Sequence, residues 1–582
     1  MKLGLSGRLT AATIASPLTP LLLIAAIAMG LLAVASIPRE EEPQISVPMV
    51  DITVRADGLA APDAAELIAK PLETIVKSVS DVEHVYTQVD DDQVLVTARF
   101  KVGTDPDNAI VRIHEKIRAN YDKIPAGIPE PLIVARGIND VPIVVLTLSP
   151  APGAAARWND QALYEVAGKL RTELAKVDNV GLTFISGGRP EEIRVEPDPE
   201  RLNLRGVSLG ALIDTVRQAN RAFPAGTLRN QGQAVQVAAG RTLQAAGDVG
   251  LLTVPSITGA PVYVRDVANV IQAPREDQAR VWRYARAGQG WSQTPAVSLA
   301  IAKRKGANAV VVSKAILKKV ESLRGGLLPA DLKVSVTRDY GETANEKANE
   351  LLFHLGLATV SIVVLIAFAI GVREALVTAI VIPTTILLTL FASNLMGYTI
   401  NRVSLFALIF SIGILVDDAI VMIENIARHW GMGDGRTRTQ AAIEAVAEVG
   451  NPTVVATLTV VAALLPMLFV SGLMGPYMAP IPVNASAAML FSFFVAVVIA
   501  PWLMIRFARQ ALAAGGHAAE PAEGRLGRIY RRFASRVIAT RKSARTFLIG
   551  VGVATLLACT MFATKTVTVK LLPFDNKSEL QV

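Results

Sequence analysis

A chain of 582 residues that is 51% hydrophobic yet 19% charged is too apolar for an ordinary soluble enzyme and too charged for a protein confined to lipid. Its formal charge of +8 does not mark a nucleic-acid binder, because Lys and Arg gather beside apolar blocks instead of forming a stripe with aromatics. The one cysteine, Cys559, lies in an apolar run, which excludes an internal disulfide and a cysteine metal site.

The N-terminus, with Lys2 and Arg8, leads into an apolar block at 12–37 that lacks a small-residue cleavage site, so it reads as an uncleaved first membrane span. From Pro38 to Asn345 the pattern becomes that of a globular domain. Strands are expected at Val47–Ala56, Val85–Val89, Val94–Val102 and Ile143–Ser149, with helices at Pro62–Val79 and Pro106–Tyr121, a βαββαβ string. A second run follows: helices at Trp158–Lys176, Leu209–Asn220 and Ala307–Ser322, strands at Val180–Ser186, Glu192–Pro197, Val262–Val264, Val297–Ala302 and Lys333–Arg338. Two such runs suggest paired split-βαβ, ferredoxin-like subdomains, the second interrupted by an insertion near 180–275.

About 20 apolar residues cross a hydrocarbon core of about 30 Å. Six further segments qualify, near 351–371, 375–396, 403–427, 443–471, 483–507 and 546–563, with Pro383 and Pro466 inside spans. Lys2, Arg8, Arg373, Arg428, Arg436, Arg438 and the basic run Arg525 to Arg545 fall on one side, with Arg402 the exception, so that side is cytoplasmic and the large domain lies outside. The segment 520–538 places Leu526, Ile529, Tyr530, Phe533 and Val537 at helical spacing among arginines and is expected to lie along the inner membrane surface. The domains read as 1–37, 38–345, 346–510, 511–545, 546–563 and a second outer region opening at 564–582.

Chemistry concentrates in the fourth span, where Asp417 and Asp418 stand side by side in Gly413-Ile414-Leu415-Val416-Asp417-Asp418-Ala419-Ile420-Val421. One Asp at a helix centre costs about 3 kcal/mol on insertion scales, and two repel unless a proton or cation intervenes. Their titration is therefore coupled, as a proton-driven carrier requires. The alternative is a pair that only glues helices. Glu424 lies seven residues past Asp417, about 10 Å along the axis, either on a secondary proton path or snorkelling at the inner interface. Ser411 and Gly413 read as close-packing positions, and Asn394 and Asn401 as loop residues. Phe184, Phe223 and Tyr86 are candidates for an apolar substrate path, set against the commoner place of an aromatic in a core. No cofactor and no metal are expected: His84, His114, His354, His429 and His517 lack ligand spacing, and no Walker, HExxH or Ser-His-Asp pattern accompanies them. An ion gradient is then the expected energy source.

The fourth-span motif, with Glu424-Asn425 after it, resembles the proton-relay segment of resistance-nodulation-division (RND) exporters, and the tandem Asp is typical of their hydrophobe/amphiphile, AcrB-like branch. The order of Pro38-Arg39-Glu40-Glu41-Glu42-Pro43, Asn220-Arg221-Ala222-Phe223-Pro224-Ala225-Gly226, Pro261 to Ala268 and Gly306 to Ala309 extends the likeness along the chain. Metal exporters of the superfamily usually carry one Asp followed by Ala, so Asp418 argues against them. The resemblance implies a helical polytopic membrane protein of about seven spans with a large α+β periplasmic porter domain, in the bacterial inner membrane. It also implies proton/substrate antiport of hydrophobic or amphiphilic compounds, a homotrimer, a periplasmic adaptor and an outer-membrane channel.

Members of that family have two tandem halves, whereas this chain stops at Leu571 to Val582, where a second outer domain is expected to begin. The family's Lys partner for the Asp pair lies in the other half. A fragment, a truncated gene and one chain of a split transporter all fit, and the chain alone is expected not to pump. Rival readings are a lipid, hopanoid or metal exporter of the same superfamily, a membrane enzyme, and a non-transporting scaffold whose Asp pair only packs.

Overall fold

The structure, a computed structural model, describes residues 3–567 except 44–46, 126, 138–139, 222, 231–232, 240–241, 258, 277–279, 288–289, 434, 473 and 508–524. The chain forms two compact units, Met1–Ile426 with Thr437–Ala508, and Ala427–Arg436 with Arg509–Val582.

In the first unit, the opening apolar block is two helices, α1 (Leu5–Thr13) and α2 (Leu18–Ser36). The single span expected at 12–37 is therefore shorter than read. The break falls at Ser16-Pro17, where proline removes a backbone donor and pushes the residue before it out of helical geometry.

Between α2 and the next span lies a domain built on two antiparallel sheets. The first takes β1 (Met49–Arg55), helix α3 (Ala61–Ala64) running through a π-turn into α4 (Lys70–Lys77), β2 (Val82–Asp90), β3 (Gln93–Phe100), α5 (Pro106–Arg118) and β4 (Leu132–Arg136). Its strand order is β2-β3-β1-β4. Helix α5 starts where it does because the Asp105 side chain accepts from the Asp107 and Asn108 amides, with Pro106 next to the cap. Alternating Val50, Ile52, Val54, Val94, Val96 and Ala98 close on Ile68, Leu72 and Ile113, all fully buried.

The second sheet takes β5 (Pro142–Pro150), α6 (Asp160–Leu174) and β6 (Val180–Ser186), and resumes only after a long excursion. That excursion holds β7 (Glu191–Pro197), α7 (Pro199–Leu204), α8 (Leu209–Ala219), the hairpin β8 (Phe223–Asn230) and β9 (Gln233–Ala239), α9 (Ala246–Gly250), β10 (Thr253–Val254), β11 (Val262–Tyr263), α10 (Val264–Val267) and β12 (Ala268–Pro274). The sheet then completes with β13 (Val281–Ala287), β14 (Gly290–Lys303), α11 (Ala309–Ser322) and β15 (Leu332–Asp339), in the order β13-β14-β5-β15 with β6 also on β14.

Two expectations change here. The strand read at Ile143–Ser149 opens the second sheet, and the fourth strand of the first sheet is Leu132–Arg136. Of the stretch 180–275 read as insertion, Val180–Ser186 pairs with β14 and so belongs to the sheet itself.

Helix α12 (Tyr340–Ala369) grows directly from β15, capped by the Asp339 side chain on the Glu342 amide. Its first turns pack on α11, which is why it begins well before 351. Then come α13 (Val372–Leu395), α14 (Arg402–Gly431), α15 (Arg438–Leu464), the short α16 (Met474–Met478) and α17 (Pro480–Phe507). Pro383 sits inside α13, where Thr384 and Thr385 bond back to the Ile380 and Val381 carbonyls. Pro466 is not mid-helix: it lies in the 3-10 turn Leu465–Phe469 that ends α15, whereas Pro452 and Pro501 are internal to α15 and α17.

The second unit contains α18 (Arg525–Ile538) and α19 (Arg541–Ala563), with Phe533 and Phe547 meeting edge to face at 6.0 Å. The residues 520–524 of the expected amphipathic segment lie outside the described residues. Across the described residues, seven helices are long and apolar enough to cross a membrane.

Candidate functional site

Helix α14 packs one side on its neighbours through Leu405, Leu408, Ile412 and Val416, which meet Ile382, Ile386 and Leu390 of α13 and Ala348 and Leu355 of α12. The opposite stripe is Phe406, Phe410, Gly413, Asp417, Val421 and Glu424, spaced by three and four residues and exposed along its length. Asp417 and Glu424 thus share one open face, while Asp418, turned by about 100° as the next residue on a helix, is half-buried.

The side chain that α17 brings to Asp418 is Ser492. Ser492 is buried and its hydroxyl donates to the Leu415 carbonyl at 2.6 Å, fastening α17 to α14 one turn before the acid. About two turns beyond it, the buried Asn425 amide donates to the Ala445 carbonyl of α15 at 2.8 Å. No salt bridge joins Asp417 or Asp418 to a Lys or Arg among the described residues. The arrangement is a carboxyl pair with one member beside a serine inside the helix packing and the other on an uncovered face. Chemically, such a pair can hold a proton between two environments.

The small residues behave differently from one another. Ser411 is buried and back-bonds to the Ala407 carbonyl at 2.6 Å. Gly413 meets nothing within 4 Å of an added Cβ, so the close packing expected of it is not made within the described chain. Asn401 does more than sit in a loop: its Oδ1 accepts from the Val403 and Ser404 amides and so caps α14. Asn394 reaches Ser36 of α2 at 3.3 Å.

Asn394, Tyr398, Asn401, Pro476 and Pro480 line a cavity of about 290 Å³ at the head of α14. Burial there pushes the Tyr398 phenol above the usual tyrosine pKa.

The aromatic candidates fall in three separate sheets. Tyr86 stands on the edge strand β2, 52% exposed and stacked on His84, and Phe184 on β6 is 40% exposed, so neither is the core residue that the commoner reading expects. Phe223 begins β8 opposite Ala239, and its side chain lies outside the described residues. Asn425 stands in the fourth-span motif, but its bond to α15 is not legible there, and Ser492 carries no signal beyond a hydroxyl inside an apolar run, which is more often a packing residue.

A family model described as the AcrB/AcrD/AcrF family matches residues 10–582. Among curated proteins, the "Multidrug resistance protein MdtC" of Pantoea ananatis is 30% identical over 491 residues, covering 84% of this chain and 46% of that protein. Proteins of the same name from Edwardsiella ictaluri and Salmonella newport are 27% and 28% identical, over 86% and 84% of this chain and 47% and 46% of theirs. The chain thus spans about half the length of the curated relatives it matches.

Proposed function

The chain belongs to the AcrB/AcrD/AcrF family, and from that premise we propose that it supplies the first half of an inner-membrane permease that exports hydrophobic or amphiphilic compounds in exchange for protons. The observation that carries this reading is the exposed stripe of α14 with Asp417 at its middle. An uncovered carboxyl in lipid is untenable, so the stripe needs an apolar neighbour with a cation opposite Asp417. A second half supplies both. Asp417 and Asp418 are then the proton relay, Ser492 positions Asp418, and Glu424 extends the path along the same face.

The domain between α2 and α12 is the outer porter region. Each of its sheets reads as a ferredoxin-like split βαβ, supported by the shared pattern of strand orders β2-β3-β1-β4 and β6-β14-β5-β15. The excursion between β6 and β14 is the docking insertion for a periplasmic adaptor, and the working pump is a trimer joined to an outer-membrane channel. Phe184, Phe223 and Tyr86 lie on the substrate path. The exposure of Phe184 and Tyr86 supports that assignment over a core role.

The test uses everted vesicles holding this chain with a second-half chain, an imposed proton gradient and a fluorescent amphiphile. Transport should collapse when a protonophore is added and persist without ATP. Export that needs ATP, or that ignores the protonophore, contradicts the proposal.

A further inference from the structure

Where α2 ends, Glu40 and Lys303 form an ion pair of 2.7 Å whose side chains are 4% and 9% exposed. Lys303 is the last residue of β14, still paired with Val180 of β6. The second Glu40 oxygen accepts from the Thr399 hydroxyl at 3.2 Å. Thr399 in turn accepts, through its hydroxyl and its carbonyl, from the Asn401 amide that caps α14. Backbone bonds reinforce the join: the Glu40 amide donates to the Ile400 carbonyl, and the Ile400 amide to that of Pro38, each at 2.9 Å. On the flanks, Arg39 reaches Asn345 and Asn349 of α12, and Arg402 pairs with Glu42 at 3.0 Å.

We propose that Glu40, Lys303 and Thr399 form the coupling point through which movement of α14 drives the outer domain. Asp417 lies fifteen residues beyond Arg402, about 22 Å down the same helix, and a helix transmits axial displacement along its length. The head of that helix is tied through Thr399 to Glu40, and Glu40 to the end of a central strand of the second sheet. A buried ion pair resists being pulled apart because separation leaves two desolvated charges without partners. The pair therefore moves as one body, and a shift of α14 on proton exchange is carried into β14 instead of being absorbed in a loop. Glu40 and Lys303 lie at the far end of α14 from Asp417 and act as positioning residues.

This inference rests on the proton-relay reading, and the experiment separates the two. Gradient-driven export is measured in the vesicles described above for Glu40→Gln, Lys303→Met, Thr399→Val and the charge swap of Glu40→Lys with Lys303→Glu, with Asp417→Asn as reference. The single neutralisations should lower the maximal rate at least tenfold at unchanged protein level, with the apparent KM for the amphiphile within twofold. The swap should recover at least a third of the wild-type rate. Thr399→Val keeps the ion pair and the backbone join and removes the hydroxyl that links Glu40 to the Asn401 cap of α14, so it should lower the maximal rate severalfold even if the neutralised variants fail to fold. Full rates in Thr399→Val, or losses confined to KM or to protein level, overturn the coupling role. If Asp417→Asn exports normally, the relay reading fails, whatever the other variants do.

Discussion

Helix α2 is held to α13 through a small-residue face, with Ala26, Gly30 and Ala33 buried. A Cβ added at Gly30 lands 2.2 Å from the Leu387 Cβ and 2.9 Å from its Cα and carbonyl carbon. Carbon atoms rest at roughly 3.5–4.0 Å, so the methyl of Gly30→Ala arrives about 1.3–1.8 Å too close to the Cβ. Neither the Leu387 Cβ nor its backbone can rotate away, and the two helices must separate. Overpacking of this kind costs about 1–3 kcal/mol, a factor of roughly 5 to 150 in the folded-to-unfolded ratio at about 1.4 kcal/mol per tenfold. The assay is thermal unfolding of the chain in detergent beside Gly356→Ala, whose added Cβ meets nothing within 4 Å. Gly30→Ala should lower the midpoint clearly and Gly356→Ala should not. Equal midpoints would refute the packing argument.

Other variants probe the two sheets and the head of α14. Leu299, fully buried in the second sheet, should cost about 2–5 kcal/mol as Leu299→Ala, read as a lower denaturant midpoint. Asp105→Ala removes the cap of α5 and should cost about 0.5–2 kcal/mol by the same measurement. Both amide atoms of the buried Asn484 lack a hydrogen-bond partner within the described chain, so Asn484→Leu should be neutral or stabilising by about 1–3 kcal/mol; a clear loss contradicts that. The Tyr398 phenol, raised by burial, stays protonated in the folded chain at pH values where an unfolded one releases its proton. Its contribution is complete below the ordinary tyrosine value of about 10 and declines as pH rises above it. The absorbance difference between wild type and Tyr398→Phe should titrate above that value.

What the sequence revealed depended on how local each signal was. Apolar runs near 351–371 through 546–563 are long enough that nothing else competes with a spanning helix, and each meets an apolar helix in the structure. The break before α2 is masked because Ala15 to Pro20 continue the apolar run, although Pro17 marks the boundary. Leu132–Arg136 follows Pro129 and Pro131 and looked like loop; only its pairing with β1 makes it a strand. The hairpin of β13 and β14 has no local core signature, since Trp282, Tyr284 and Arg286 share one exposed face of β13.

The same contrast holds at the site. Two adjacent acids in an apolar helix were conspicuous, because their desolvation has to be compensated. Which acid faces outward was not legible, since it depends on where α12, α13 and α17 pack. Lys303 at the end of an apolar strand reads as a solvated lysine; its partner Glu40 is 263 residues away, beyond any local pattern.

The most direct test of the central claim compares Asp417→Asn and Asp418→Asn for gradient-driven export of the fluorescent amphiphile, with the chain joined by its second half. Each substitution should abolish gradient-dependent export while the protein remains inserted and assembled. Export undiminished in both variants would contradict the claim and reduce the pair to helix packing.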